Sequence, residues 1–222
     1  SSENERKPIR INLDFHLDDD ELQCASVGQV INWQESEFNC EEQDIPNETS
    51  KTALRETMEN VREYLKNVLL VDPFTNPLPL RTELPNYFQL TNIPNTANDT
   101  DFFISVFIRT YGESSTLASA HYVRSISESH RPFQGAVYGN SRYLPTETQS
   151  EQSTNTYFFK TVIHEIFHSL GITSGLFPYY HPKDSNIPYE NPLVSLYDEK
   201  TGKNHTFLVT PYSHKFAVMQ WG

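Results

Sequence analysis

Apolar and polar residues alternate through Ile9-Arg10-Ile11-Asn12-Leu13-Asp14-Phe15, the pattern of a half-buried strand. Leu54, Met58, Val61, Leu65 and Val68 then recur at spacings of four and three. That stripe predicts an amphipathic packing helix, entered near Ser50 and stopped by Asp72-Pro73. Residues 16–48, between the two, are acidic and lack a period, so they read as irregular. Residues 73–100 carry five prolines and read mostly as loop. Phe102-Phe103-Ile104-Ser105-Val106-Phe107-Ile108 is dense in aromatic and β-branched residues and predicts a buried strand. Weaker strands follow at 117–123 and 135–138, joined through Arg131-Pro132.

A polar stretch at 145–155 leads into a second helix, expected from Thr154 to Leu170. Phe159, Ile163, Ile166, Phe167 and Leu170 form its apolar side. It ends at Gly171, because glycine readily takes the left-handed conformation that closes helices. Residues 175–222 are rich in Pro and Tyr, with a short helical stretch expected near His214–Gln220. No internal repeat is present. The elements together predict an α+β chain, a twisted sheet over two long helices.

Composition narrows the partners. The 222 residues hold 17 basic and 29 acidic side chains, a net charge of −12. Such a surface disfavours nucleic acid and anionic membranes. With 14 Phe and 12 Tyr the chain has the material for a core, unlike a disordered acidic tail. No segment approaches the ~20 apolar residues of a membrane span, and no apolar leader stands at Ser1. Cys24 and Cys40 either close a loop, worth about 3 kcal/mol in the loop-entropy picture, or remain reduced thiols. Three sequons, Asn47-Glu48-Thr49, Asn98-Asp99-Thr100 and Asn204-His205-Thr206, join the cysteine pair in favouring the secretory route.

The second predicted helix carries His164-Glu165-Ile166-Phe167-His168. Positions i and i+4 share a helix face, so two imidazole nitrogens can reach one Zn²⁺ at about 2.0–2.1 Å. Peptide hydrolysis at neutral pH needs an activated water and a polarised carbonyl, and zinc supplies both. His164 and His168 would be neutral ligands. Glu165 would be the general base that later returns its proton to the leaving amine. The competing reading is a pair of surface histidines with no metal. This five-residue pattern arises by chance roughly once in 200 chains of this length, so the metal reading leads.

A catalytic zinc takes a third protein ligand. His168-Ser169-Leu170-Gly171-Ile172-Thr173-Ser174 begins like the metzincin extension, in which a glycine turn returns a third histidine. Ser174 stands at that position, and serine is a poor zinc ligand. Four segments carry a more specific likeness: Lys7–Ile11, Arg131–Gly135, His164–Ser174 and Thr210–Ala217. Through them the chain resembles the leishmanolysin family, metzincin surface metallopeptidases whose third histidine follows a long insertion after the glycine.

The resemblance implies a metzincin-like twisted mixed sheet with the zinc motif on the second of two long helices. It implies a zinc-dependent endopeptidase, secreted or at the cell surface, with a protein or peptide substrate along an edge strand. The strand around Leu117–Val123 is the candidate edge. Residues 1–174 would form an N-terminal catalytic subdomain. Residues 175–222 would begin an insertion or C-terminal subdomain, incomplete here, with the third ligand beyond Gly222 on the remaining C-terminal part of the enzyme. Inside the chain, His214 is a better candidate ligand than His181 or His205. His16, His121 and His130 read as surface or hydrogen-bonded residues. Two alternatives stay open: a non-catalytic peptidase-fold subunit of a cell-surface or extracellular assembly, and a zinc hydrolase of another family using Glu190 or Asp198.

Overall fold

The computed structural model describes residues 6–82, 92–182 and 185–221. Its strands are β1 (Lys7–Pro8), β2 (Ile11–His16), β3 (Val30–Trp33), β4 (Ser36–Asn39), β5 (Leu70–Val71), β6 (Leu78–Pro79), β7 (Thr96–Ala97), β8 (Phe102–Arg109), β9 (Ala118–Ser125), β10 (Pro132–Asn140), β11 (Leu193–Asp198) and β12 (Lys203–Leu208). The helices are α1 (Glu48–Val68), α2 (Tyr157–Ser169) and α3 (Pro211–Trp221). The class is α+β. Two compact units emerge: Ser1–Ser125 with Pro132–Leu170, and Ile126–Arg131 with Gly171–Gly222. Part of the proline-rich stretch expected to be loop, residues 83–91, lies outside the described residues.

The first unit is built on a four-stranded mixed sheet in the order β2-β8-β10-β9. β8 runs parallel to both β2 and β10, and β9 pairs antiparallel with β10 at the outer edge. Every residue of β8 and β10 is buried. Strands covered on both faces read as apolar runs rather than alternations, which is how β8 reads in the sequence. On one face Ile104, Val106, Ile108 and Val137 pack with Leu54, Met58, Val61 and Leu65 of α1. Phe158, Phe159, Val162 and Ile166 of α2 join the same cluster. Each such side chain contributes about 1.5–3 kcal/mol on burial.

Helix α1 starts earlier than its apolar stripe suggested. The Asn47 side chain accepts from the Ser50 N–H at 2.9 Å, so Asn47 is the cap and Ser50 lies in the first turn. The helix also stops earlier, at Val68. Leu70–Val71 pairs antiparallel with Lys7–Pro8 and takes the chain out of the helix before Asp72-Pro73 is reached.

The opposite sheet face carries Phe107 and Tyr138, stacked at 5.2 Å between ring centroids. The segment expected to be irregular contains an ordered hairpin against this face. β3 and β4 pair across a turn in which Gln34 and Glu35 both have positive φ, 51° and 61°. Glycine or asparagine normally marks such a turn, and neither is present, so its signal was missing. Cys24 and Cys40 are bonded to each other and almost fully buried, closing the loop that holds the hairpin. Trp33 donates its indole N–H to the Thr110 carbonyl at 2.8 Å.

Two buried charge clusters anchor the same segment. Arg109, at the end of β8, makes a paired contact with Asp20 at 2.6 and 3.0 Å, and both side chains are fully buried. Asp44 accepts from Thr110 Oγ1, from the Glu41 N–H and twice from Arg142. Burial alone would raise the Asp44 carboxyl, but those donors outweigh it and hold it below the usual carboxylate range. Asp101 behaves alike: burial pushes it up, while the Arg10 guanidinium and the N–H groups of Phe74 and Arg10 pull it further down.

These shifts predict an acid limb in stability. A carboxyl depressed in the folded state adds stability above its unfolded value of about 3.9 and loses it as pH falls through the folded value. Urea unfolding at stepped pH is therefore expected to show stability falling below about pH 4. Asp101→Asn is expected to be less stable at neutral pH and to have a flatter acid limb. An unchanged limb in that variant would rule out Asp101 as a contributor.

In the second unit β11 and β12 form a hairpin closed by residues 199–202, with Gly202 at φ +66° donating to the Asp198 carbonyl. Most residues on both faces of this hairpin are exposed, so no buried face imposes an alternating pattern on it. α3 was expected only near His214–Gln220. It begins at Pro211, a residue suited to the first helical position because its missing N–H is not needed there.

Candidate metal centre

Helix α2 begins at Tyr157, three residues later than the pattern suggested, where Asn155 Oδ1 accepts from the Tyr157 N–H. Phe158, Phe159, Val162, Ile166 and Ser169 are its buried side, and Ile163, Phe167 and Leu170 are partly buried against the same core. His164 and His168 lie off that side. The helix ends with Leu170, whose N–H bonds the Ile166 carbonyl. Gly171 follows at φ +117°, a conformation that L residues rarely take.

Close approach of α2 to the sheet depends on Gly135 of β10. A Cβ there would stand 2.9 Å from Phe102 Cζ and 3.0 Å from Ser169 Cβ. Ser169 directly follows His168, so a bulkier residue at 135 pushes on the helix end that carries it. Gly135→Ala is expected to cost about 1–3 kcal/mol, read by urea denaturation. A change within experimental error would show that the helix has room to move.

The Nε2 atoms of His164 and His168 are 3.0 Å apart, with the two rings perpendicular. Two unprotonated imidazole nitrogens at that distance need a proton or a cation between them. Two nitrogens on one tetrahedral zinc stand roughly 3.3 Å apart, so the pair fits the metal with little adjustment. Glu165 Oε1 lies 4.0 Å from His164 Nε2, outside hydrogen-bonding distance of the imidazole. His164, Glu165 and His168 offer donor atoms all within 4.8 Å of one another. The His164 side chain is 68% exposed and that of Glu165 18%, so the site is open to solvent and its carboxylate is partly sheltered.

One contact was not legible in the sequence. Glu165 Oε2 accepts from the backbone N–H of Ala120 on β9 at 3.2 Å. A main-chain donor on the sheet's outer strand thus orients the carboxylate. No side-chain pattern signals such a donor; only the packing of α2 beneath β9 brings it there.

The other histidines are occupied differently. His16 is buried between Asp14 and Asp19 and stacks on Phe107. His121 stacks on Tyr138, and burial lowers its pKa and keeps it neutral. In the second unit, His130 stacks on Tyr179 with centroids 3.8 Å apart, and His181 Nδ1 meets the Pro182 carbonyl. His205 sits beside Thr201 and Asp198, and His214 lies in the first turns of α3. Asp198 is already accepting from Lys200 and Thr201 in the hairpin loop.

A family model for leishmanolysin, peptidase family M8, matches residues 1–192. The chain belongs to the leishmanolysin family. Members of that family are zinc metallopeptidases of the extracellular space and cell surface. The cysteine bridge accords with an oxidising compartment. Among the described residues no helix is long and apolar enough to cross a membrane.

Proposed function

We propose that this leishmanolysin-family chain carries the zinc-binding helix of an endopeptidase, with His164 and His168 as metal ligands and Glu165 as general base. The observation that carries the reading is the pair of Nε2 atoms 3.0 Å apart with a carboxylate held alongside. When bound, zinc supplies a Lewis acid for the scissile carbonyl and lowers the pKa of water. The two imidazoles bind as neutral donors and present their Nε2 lone pairs from one helix face. Glu165 takes a proton from the attacking water and delivers it to the departing amine. The Ala120 N–H keeps that carboxylate turned toward β9 rather than free to rotate.

β9 is the outer strand of the sheet, so an extended substrate can add alongside it through main-chain hydrogen bonds. Its scissile bond would then pass close to Glu165. Catalytic zinc takes three protein ligands, one more than the two imidazoles of α2. By the metzincin resemblance, residues 1–174 would be the catalytic subdomain.

Metal analysis tests the assignment. The natural protein, purified without chelators, is expected to carry stoichiometric zinc and to cleave an unfolded protein substrate. His168→Ala is expected to lose the zinc while circular dichroism stays unchanged. A metal-free natural protein would favour the non-catalytic subunit instead, and zinc retained by His168→Ala would remove that histidine from the ligand set.

A further inference from the structure

Strand β9 presents one row of side chains to the sheet face that carries α2. Ala118, Ala120 and Tyr122 pair with Gly139, Val137 and Gly135 of β10, and Val137 belongs to the core shared with both long helices. Side chains alternate between faces along a strand, so His121 lies on the other face, where it stacks on Tyr138. In the α2 row the first two side chains are methyl groups and the third is a phenol. Helix α2 runs along this row in the same direction. Glu165 accepts from the N–H of Ala120. One turn later Ser169 lies against Gly135, the residue opposite Tyr122. Tyr122 therefore stands level with the last turn of α2, the turn that carries His168.

Two further observations mark this residue. The Leu117 carbonyl accepts from the Asn140 N–H, inside the sheet. Alternation then turns the main-chain groups of Ala118, Ala120 and Tyr122 outward along the free edge. Tyr122 is also 37% exposed, whereas Ala118 and Val123 of the same strand are buried. Among the described residues its hydroxyl has no hydrogen bond and its ring no stacking partner. Gly135, directly opposite on β10, has no side chain with which to pair. Arg124, farther along, is occupied, donating to the Pro79 carbonyl and lying over Phe133.

We propose that Tyr122 determines specificity: its ring walls a subsite for an aromatic or long apolar side chain of an extended peptide lying along β9. The proposal rests on the peptidase reading of the α2 site and adds a substrate class to it. A strand added to this edge bonds to the main chain of Ala118, Ala120 and Tyr122. The peptide residue opposite Ala120 sits beside Glu165. The residue opposite Tyr122 lies two positions along, with its side chain on the same face. Directly opposite residues of an antiparallel pair bring their Cβ atoms to about 4.5–5.5 Å, and aromatic and branched side chains form the favourable pairs with tyrosine. The substrate thus supplies the cross-strand partner that Gly135 lacks.

The test uses the natural protein, purified without chelators, and peptides in which one phenylalanine is moved along a background of small residues. At one position, fixed relative to the cleaved bond, phenylalanine is expected to raise kcat/KM over alanine by about tenfold or more. Tyr122→Ala is expected to bring that ratio close to one, and Tyr122→Phe, which keeps the ring, to preserve it. Each ratio compares two peptides on the same protein, so partial unfolding of a variant cancels. Cleavage by the natural protein without this preference, or a preference retained by Tyr122→Ala, overturns the proposal. The same peptides are titrated against Glu165→Gln by fluorescence anisotropy, where the phenylalanine peptide is expected to bind more tightly than its alanine counterpart unless Tyr122→Ala is added. A natural protein that cleaves no peptide, while Glu165→Gln shows this Tyr122-dependent affinity, fails the peptidase reading and supports the subsite. No dependence on Tyr122 in either assay overturns the subsite.

Discussion

Glu165→Gln is expected to cut peptide hydrolysis by about 10²–10⁴-fold or more while zinc content and KM stay close to those of the natural protein. Glutamine matches glutamate in size, and its carbonyl oxygen can still accept from the Ala120 N–H. What it cannot do is take a proton from water and pass it on. The loss therefore falls on kcat. His164 and His168 are untouched, so the metal stays. Two outcomes are informative in different ways: retained turnover would sink Glu165 as the base, whereas lost zinc would show that its carboxylate helps hold the metal.

Asp20→Asn is expected to lower the free energy of unfolding by about 3–5 kcal/mol, the usual cost of breaking a buried ion pair from one side. Arg109 and Asp20 are both fully buried and meet through two hydrogen bonds. The guanidinium also lies 5.2 Å from the rings of Phe107 and Tyr138. Asparagine preserves the shape and deletes the charge, so the Arg109 cation loses its counter-ion in a site that water does not reach. Chemical denaturation with the disulfide intact measures the effect. A loss below about 1 kcal/mol would place the pair among those that contribute little net stability. Because this cluster lies on the sheet face opposite α1 and α2, the folded fraction of the variant is expected to bind zinc normally.

Legibility in the sequence tracked the locality of the cause. The stripe from Leu54 to Leu65 and the buried run of β8 follow from side-chain periods, and both stretches lie within the elements they predict, although the ends of α1 differ. The placement of His164, Glu165 and His168 on one helix likewise follows from their spacing. The β3–β4 hairpin escaped because its turn uses Gln34 and Glu35 in left-handed conformations. A disulfide and two buried charge clusters stabilise that region, and each joins residues far apart in the chain. The early end of α1 was set by β1, about sixty residues upstream, rather than by its own proline.

Short-range periodicity and residue chemistry thus carried the α+β class, the two main helices, the disulfide as one of two options and the candidate metal-binding set. Packing between distant segments decided the rest. It set the strand order, placed β9 at the sheet's edge, admitted α2 over Gly135 and aimed the Ala120 N–H at Glu165. A helix of given spacing presents its own side chains whatever surrounds it. A backbone donor on another strand becomes part of a site only once the sheet and the helix have packed.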